Sequence, residues 1–282
     1  MCAKPTISFE FFPPKTPEAQ VKFWQTVDEL SPLRPAFMTV TYGAGGSTRD
    51  WTIDTAAEMQ RRTGINTAAH LTCVNTMKDG IEDIAHKLWN SGVKHIVALR
   101  GDIPDIDAPL DYNDNSYYHY ANQLVDGLRA LHDFEISVAA YPEKHPEALT
   151  LDTDIARLKQ KCDAGATRAI TQFFFDNQAF YDFRDKAKAA GITTPIVPGL
   201  LPISDFNRVC KVADTCQASI PPWLREKLEH IQDAHEVRRI GHDLLVEQIR
   251  DLLKNGVEHL HFYTLNRSDL TIDACRATGL AP

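Results

Sequence analysis

The chain of 282 residues has no CxxC pair, no dense run of Lys and Arg, and no long apolar stretch. Each absence removes a class of function. The six cysteines (Cys2, Cys73, Cys162, Cys210, Cys216 and Cys275) are scattered, whereas a zinc site or redox pair needs tight spacing. They read as reduced thiols used as small core residues. With 38 acidic residues against 30 basic ones the net charge is −8. Without a basic cluster, neither nucleic acid nor an anionic membrane surface is a natural partner. A membrane-spanning helix needs roughly 18 consecutive apolar residues, and no stretch here approaches that. The opening MCAKPTISFEFFPP lacks the basic, apolar and small-residue zones of a secretory signal, so a soluble, cytoplasmic protein is expected. Catalytic signatures are missing too. The turn after the first strand candidate reads FFPPKTPE rather than GxGxxG. No serine sits in GxSxG. His235-Glu236 to His242 lacks the i, i+4 histidines of a helical zinc site.

What is present is ordinary globular material, 43% hydrophobic and 24% charged, arranged in a regular alternation. Apolar runs rich in β-branched and aromatic residues give eight strand candidates. They are ISFEFF from Ile7, AFMTVTYG from Ala36, TAAHLTCV from Thr67, HIVALRGD from His95, ISVAAYPE from Ile136, RAITQFFF from Arg168, PIVPGLLP from Pro195 and HLHFYTLN from His259. Amphipathic helical stretches separate them, and Gly64, Gly92, Gly165, Gly191 and Gly256 stand where helix C-caps belong. Eightfold strand–helix alternation implies parallel strands with crossover helices, and eight is the number that closes a barrel of about 250 residues. The expected fold is α/β, a (β/α)8 TIM barrel, as one catalytic domain over 1–282. The stretch 204–254 is too long for one crossover helix. An extra helix is expected after the seventh strand, with a break near Pro221-Pro222.

Within each strand the polar residues share a parity. Ser8 and Glu10 alternate with Ile7, Phe9 and Phe11; Thr39 and Thr41 with Met38, Val40 and Tyr42; His70 and Thr72 with Leu71 and Cys73; Arg100 and Asp102 with Val97 and Leu99. Ser137 and Tyr141 share a face, and Gln172 falls near the end of its strand. Alternate residues of a barrel strand face the interior, so this polar set is expected inside. Most of it lies toward the strand C-termini, where barrels of this class place their active sites. Glu10, a carboxylate among phenylalanines, must be paired or carry a raised pKa. A salt bridge to an inward Arg100 and a role as general acid near neutral pH are the alternatives.

Other chemistries fit less well. His259 and His261 form an HxH pair at the start of the eighth strand, which places them toward the barrel bottom as core or surface residues. Schiff-base chemistry needs a lysine in the barrel mouth, whereas Lys15 and Lys144 lie in loops and no strand candidate contains one. A polar interior without metal motif, nucleophile or lysine points to an organic cofactor.

At these same strand ends the sequence resembles the 5,10-methylenetetrahydrofolate reductases. The matching segments are SFEFFPPKT (Ser8 to Thr16), VTYGAGGSTRD (Val40 to Asp50), HLTC (His70 to Cys73), HIVALRGD (His95 to Asp102), VAAYPEKHPEA (Val138 to Ala148), RAITQFFFD (Arg168 to Asp176), PGLLP (Pro198 to Pro202) and HFYTLNR (His261 to Arg267). The resemblance implies FAD-dependent reduction of methylenetetrahydrofolate, with NADH or NADPH as hydride source and ping-pong use of one flavin face. Carried over by motif, Glu10 would be the general acid that protonates folate N10, opening the ring to an iminium. Asp102 would lie near the flavin and pterin, and Gln172 would hydrogen-bond the pterin or the nicotinamide. The FAD positions would be Thr41, Tyr42, Ala44, His70, Arg100, Gly101, Asp102, Tyr120, Tyr141, His145, Ala148, Asp154 and Lys161. Arg100, His70 and Lys161 would serve the pyrophosphate and ribose, and Arg267 would meet the folate. A homo-oligomer is implied as well.

Two segments depart from the pattern. Residues 103–119 form a longer, Asp- and Tyr-rich stretch, either a lid over the adenine end or a solvated loop. Arg208 and Val212 stand where Gln and Phe contacts to substrate or nicotinamide are expected. A flavin-free barrel, a lyase or a non-redox folate-binding protein, is the alternative function.

Overall fold

The computed structural model describes residues 4–42, 49–102 and 112–281. Its parallel sheet has the order β7-β6-β5-β4-β3-β2-β1-β9-β8. The strands are β1 (Thr6–Phe11), β2 (Phe37–Val40), β3 (Thr67–Thr72), β4 (His95–Leu99), β5 (Glu135–Ala140), β6 (Arg168–Thr171), β7 (Ile196–Val197), β8 (Gly199–Leu200) and β9 (His259–Tyr263). Each expected strand is present, and the seventh is divided. Pro198 has no N–H to give to a ladder, so PIVPGLLP becomes two dipeptides. β7 pairs with β6 and β8 with β9, and the Pro198 carbonyl accepts from His261 N at 3.0 Å. The two sheet edges therefore meet at one residue, and the strands form a nearly closed TIM-type barrel.

Helices follow the strands as expected: α1 (Pro17–Leu30), α2 (Arg49–Thr63), α3 (Lys78–Asn90), α4 (Ala121–Leu131), α5 (Leu151–Asp163) and α6 (Asn177–Ala189). The long 204–254 stretch holds three more, α7 (Phe206–Cys216), α8 (Pro222–Leu228) and α9 (Ala234–Lys254), and α10 (Asp269–Ala277) comes after β9. The break falls where the prolines stand: Gln217 turns left-handed (φ 52°) to end α7, and Pro222 opens α8, where a missing N–H is harmless. Local caps set the helix starts. Thr16 Oγ1 accepts from Ala19 N at α1, and Asp205 accepts from Arg208 N at α7. No helix of the described residues is long and apolar enough to cross a membrane.

Parity on β1 holds. Ile7, Phe9 and Phe11 are buried with Phe23, Val27 and Leu30 of α1, and Phe11 meets Phe23 edge-on at 5.7 Å. Burying each such side chain stabilises by about 1.5–3 kcal/mol, which holds Ser8 and Glu10 on the other face. The lower interior is not the Val/Ile/Leu filling of a purely structural barrel. Phe37 stacks on His259 (5.4 Å), meets His95 edge-on (4.8 Å) and carries the Arg168 guanidinium over its ring. His95 shares a hydrogen bond with Ser137 (2.8 Å), and His259 shares one with Ser8 (2.8 Å) and one with Thr6 (2.6 Å).

Strand β4 breaks the expected parity. Ile96 and Ala98 pack in the helix-side core, while His95 turns inward to Ser137. Arg100 and Asp102 share the parity of Ile96 and Ala98, and the strand has ended at Leu99. They are therefore not interior residues; they lie on the rim beyond the strand.

Candidate active site

Glu10 sits one step from the C-terminal end of β1, in register with Thr39 of β2 and Tyr263 of β9. Its backbone is fixed from the β9 side, where Thr264 Oγ1 donates to Glu10 O at 2.6 Å. The next turn is clamped by Asn266, which exchanges two 2.9 Å hydrogen bonds with the Phe12 backbone. The carboxylate faces two imidazoles, with His70 Nε2 at 3.3 Å and His261 Nε2 at 3.6 Å. Both nitrogens are buried and neither forms a hydrogen bond of good geometry. Behind His261, its Nδ1 shares a 2.7 Å hydrogen bond with Ser8 Oγ.

This changes the electrostatic expectation for Glu10. Arg100 is not its partner, since that guanidinium pairs bidentately with Glu147 at 2.6 Å. Nor does Glu10 carry a raised pKa. Burial pushes its carboxyl up, but the imidazoles of His70 and His261 outweigh burial and hold it at about 2. Burial pushes His261 down, toward its neutral form, against the pull of Glu10. The attraction on Glu10 thus comes chiefly from His70. A neutral Glu10 surrounded by phenylalanines is corrected to an ionised one between two histidines, because the Phe rings on β1 face the helices and not the carboxylate.

Beside this cluster, at the ends of β4 and β5, opens a cavity of about 450 Å³. Tyr42, Arg100, Gly101, Asp102, Tyr120, Tyr141, His145, Asp154 and Lys161 line it, nine of the positions expected to hold a cofactor. Gly101 (φ 88°) makes the turn out of β4, and a Cβ there would collide with the side chains of Val74 and Thr72. On the α5 side, Asp154 Oδ2 accepts from His145 N (2.8 Å) and Lys161 Nζ donates to Ala139 O (2.5 Å). Burial lowers Lys161 to about 8, opposed by Asp154, and raises the Tyr141 phenol to about 12. Cations and flat rings around a concave wall suit a ligand with a phosphate centre and aromatic ends.

Other expected positions lie outside this lining. His70 belongs to the Glu10 cluster. Thr41 continues β2, its N–H donating to Phe11 O (2.9 Å) and its carbonyl accepting from Thr52 Oγ1 (3.0 Å). Ala148 is buried, and its carbonyl accepts from Lys144 Nζ. Ala44 lies outside the described residues. Gln172 follows β6 with its Oε1 on Phe173 N (3.0 Å). Arg267 donates to Ser204 Oγ (2.8 Å), tying the loop after β9 to the segment before α7. Arg208 is exposed and Val212 packs on the α7–α9 core. Of the long segment, 103–111 lies outside the described residues. Beyond it Tyr112 stacks on Tyr120 at 5.9 Å and Lys78 N donates to Ser116 O.

A model of the methylenetetrahydrofolate reductase family matches residues 2–279. The 5,10-methylenetetrahydrofolate reductase of Escherichia coli (strain K12) is 43% identical over 277 residues, which are 98% of this chain and 91% of that one. The chain belongs to the methylenetetrahydrofolate reductase family. In Zea mays, methylenetetrahydrofolate reductase (NADH) 1 is 36% identical, and the match covers 97% of this chain but 48% of the maize protein. Among solved structures, a Clostridium thermocellum protein described as binding two copies of 5-methyl-5,6,7,8-tetrahydrofolic acid shares the fold. Its TM-score is 0.67 at 15% identity, covering 98% of this chain and 95% of that one.

Against this reductase frame, several site residues escaped the sequence reading. Arg157 and Gln160 of α5 and Asn122 of α4 line the cavity; a helical i, i+3, i+6, i+7 count from Asp154 would have found the first two beside Lys161. His261, expected at the barrel bottom as a core residue, reaches Glu10. Cys73 and Cys275 are buried as expected, while Cys162, Cys210 and Cys216 are only partly buried. Among the described residues no group of three or more His, Cys, Asp or Glu could hold a metal.

Proposed function

We propose that the chain reduces 5,10-methylenetetrahydrofolate to 5-methyltetrahydrofolate, holding FAD and drawing its hydride from NADH or NADPH in ping-pong fashion. The observation that carries this reading is the juxtaposition of a buried Glu10–His70–His261 cluster with a cavity furnished for a dinucleotide. Arg100, Arg157 and Lys161 supply positive charge for a pyrophosphate. Tyr42, Tyr120 and Tyr141 supply flat surfaces, and the turn at Gly101 lets backbone come close to a ligand. These residues fit FAD. The chemistry it supplies when bound is acceptance and release of a hydride.

The chain's own task is to deliver a proton to folate N10 and to steady the cation that results. Glu10 faces the imidazoles of His70 and His261 at 3.3 and 3.6 Å, and it is the member placed to pass a proton to the substrate. A substrate ring that covers Glu10 would remove water and favour the carboxyl's protonated form, by the desolvation that already opposes the histidines. Asp102, exposed on the cavity rim, supplies negative charge near a developing iminium. Gln172 offers a carboxamide to the pterin or the nicotinamide. The whole of 1–282 is read as one catalytic unit, in a soluble homo-oligomer.

The purified protein should be yellow, bleach anaerobically with NADH or NADPH, and recolour on addition of methylenetetrahydrofolate. A colourless protein that takes up no FAD but binds 5-methyltetrahydrofolate would replace this reading with a non-redox folate-binding barrel. The ligand of the Clostridium thermocellum relative gives that second reading its one support.

A further inference from the structure

A line of polar contacts climbs the inner face of β1 and β9, from the first residue of each strand to Glu10. The register places Thr6 opposite His259 and Ser8 opposite His261, and alternate residues of a strand share a face. At the lower end the exposed Thr6 brings Oγ1 within 2.6 Å of His259 Nδ1. Across that ring, His259 Nε2 meets Ser8 Oγ at 2.8 Å, and the same hydroxyl meets His261 Nδ1 at 2.7 Å. On its far side His261 turns Nε2 toward Glu10 Oε2 at 3.6 Å.

The direction of these bonds follows from the top of the line. A carboxylate can only accept, and Glu10 is held ionised, so His261 points Nε2–H at it. A neutral imidazole then has a bare Nδ1, which accepts from Ser8. Ser8 has one proton to give, so His259 donates to it from Nε2 and accepts at Nδ1. Thr6 completes the series as donor, since its other acceptor, Glu258 O, is farther away at 3.4 Å. Burial pushes both imidazoles toward their neutral forms, and Arg168, on the Phe37 ring that stacks with His259 and His261, opposes a charge on either. Every donor in the line points toward Glu10.

We infer that Thr6, His259, Ser8 and His261 form a relay that carries a proton from solvent at the barrel bottom to Glu10. The inference rests on the folate-reducing reading above, in which the substrate takes up one hydride and one proton. With ligands covering the mouth, the proton needs another entrance. Water gives a proton to Thr6 Oγ1 and leaves hydroxide to the bulk. Thr6 passes its own to His259 Nδ1, His259 Nε2 to Ser8, Ser8 to His261 Nδ1, and His261 Nε2 to Glu10. An approach of about 0.5 Å by the carboxylate brings the last contact into hydrogen-bond range. Thr6, Ser8 and His259 are positioning residues that act through Glu10.

Heteronuclear NMR of the purified protein with labelled histidine reads ring tautomers without turnover. His259 and His261 should both be neutral Nε2–H forms, and an Nδ1–H form of either would overturn the relay. Stopped-flow kinetics give the second test. His259→Phe keeps a ring on Phe37 and removes both nitrogens. Reduction of methylenetetrahydrofolate should slow roughly tenfold, less than for loss of Glu10 itself because His70 still faces the carboxylate. Flavin reduction by nicotinamide should not change. The rate of the parent should depend on the D2O fraction along a curve, as several protons move together, and that of the variant along a straight line. His95→Gln, which disturbs the lower layer outside the line, should alter neither half-reaction. Parental folate reduction in His259→Phe, or an equal loss in His95→Gln, would overturn the inference. A parent protein that reduces no methylenetetrahydrofolate would instead remove the functional reading, and this role with it, even with both tautomers as expected.

Discussion

In the lower interior of the barrel, His95 and His259 reach the hydroxyls of Ser137 and Ser8 at 2.8 Å and lie against the ring of Phe37. One layer higher, His70 and His261 face Glu10 at 3.3 and 3.6 Å, with nitrogens that complete no good hydrogen bond. Both layers are built from histidines on strands that are not adjacent in the sheet, and burial is the difference between a packed residue and a poised one only through its partners. Below, burial keeps His95 and His259 neutral at pKa values of about 3; each shares a short neutral hydrogen bond, and His95 Nδ1, which completes none, stands 3.9 Å from the Glu135 carboxylate. Above, a carboxylate answers the imidazoles, so the proton has more than one place to reside. Long, imperfect contacts around a buried charge weaken a static core, yet they leave room for a proton to move.

The largest expected effect is at the upper layer. Glu10→Gln keeps the shape and removes the group proposed to pass the proton. Folate reduction should fall by about 10²–10⁴-fold, the usual weight of one acid–base group, while the flavin remains bound and is still reduced by nicotinamide. Stopped-flow measurement of the two half-reactions separates these, and folate reduction at normal rate would end the assignment.

Next comes the seam between the layers. A Cβ at Gly199 would meet the Thr171 carbonyl oxygen and the Tyr263 ring, and Tyr263 Oη itself donates to Thr171 O at 2.7 Å. Gly199→Ala should lower stability by about 1–3 kcal/mol, the cost of overpacking, as read from urea unfolding. A neutral result would mean that the strand edges on either side of Pro198 are loose.

The lower layer is tested by pH. The folded pKa values of His95 and His259, about 3, lie below the ordinary 6.5. Their contribution is complete above pH 6.5 and is lost progressively as pH falls toward 3, because the unfolded chain then binds protons the folded one refuses. Glu10 adds to the same trend at lower pH: its contribution is present above about 4.5 and disappears as pH falls toward 2. Melting temperatures measured from pH 8 to pH 4 should drop most steeply below pH 6.5. His95→Gln should flatten that slope, at a cost of about 1 kcal/mol at neutral pH for the altered bond to Ser137.

The smallest effect on stability is expected at the rim. Arg100 pairs with a half-exposed Glu147, so Arg100→Ala should change stability by no more than about 1 kcal/mol. Its flavin content, read by absorbance after gel filtration, should nonetheless fall. Loss of stability with full flavin retention would make Arg100 a structural residue.

The strand order, the helix layer and the inward face of β1 were legible because periodicity is a local property. Glycines such as Gly92 (φ 88°) and Gly165 (φ 110°) do end helices as expected. The parity reading failed at Arg100 and Asp102 because they continue the helix-side set of Ile96 and Ala98, and β4 ends at Leu99, before either of them. The histidines of β9 were assigned to the barrel bottom by counting along one strand. His261 is third in β9 and in register with Ser8, and from there its Nε2 reaches the carboxylate at position 10.

The order of secondary structure, the family and the presence of an interior acid followed from the sequence alone, since each is written in spacing and residue type. The charge state of that acid did not. It depends on which side chains from β3 and β9 lie within 4 Å of it, and those strands are remote in sequence and brought together only by the sheet. Short-range pattern fixes what each segment is, but electrostatics and hydrogen bonding act through space, and only the closed barrel decides which residues share it.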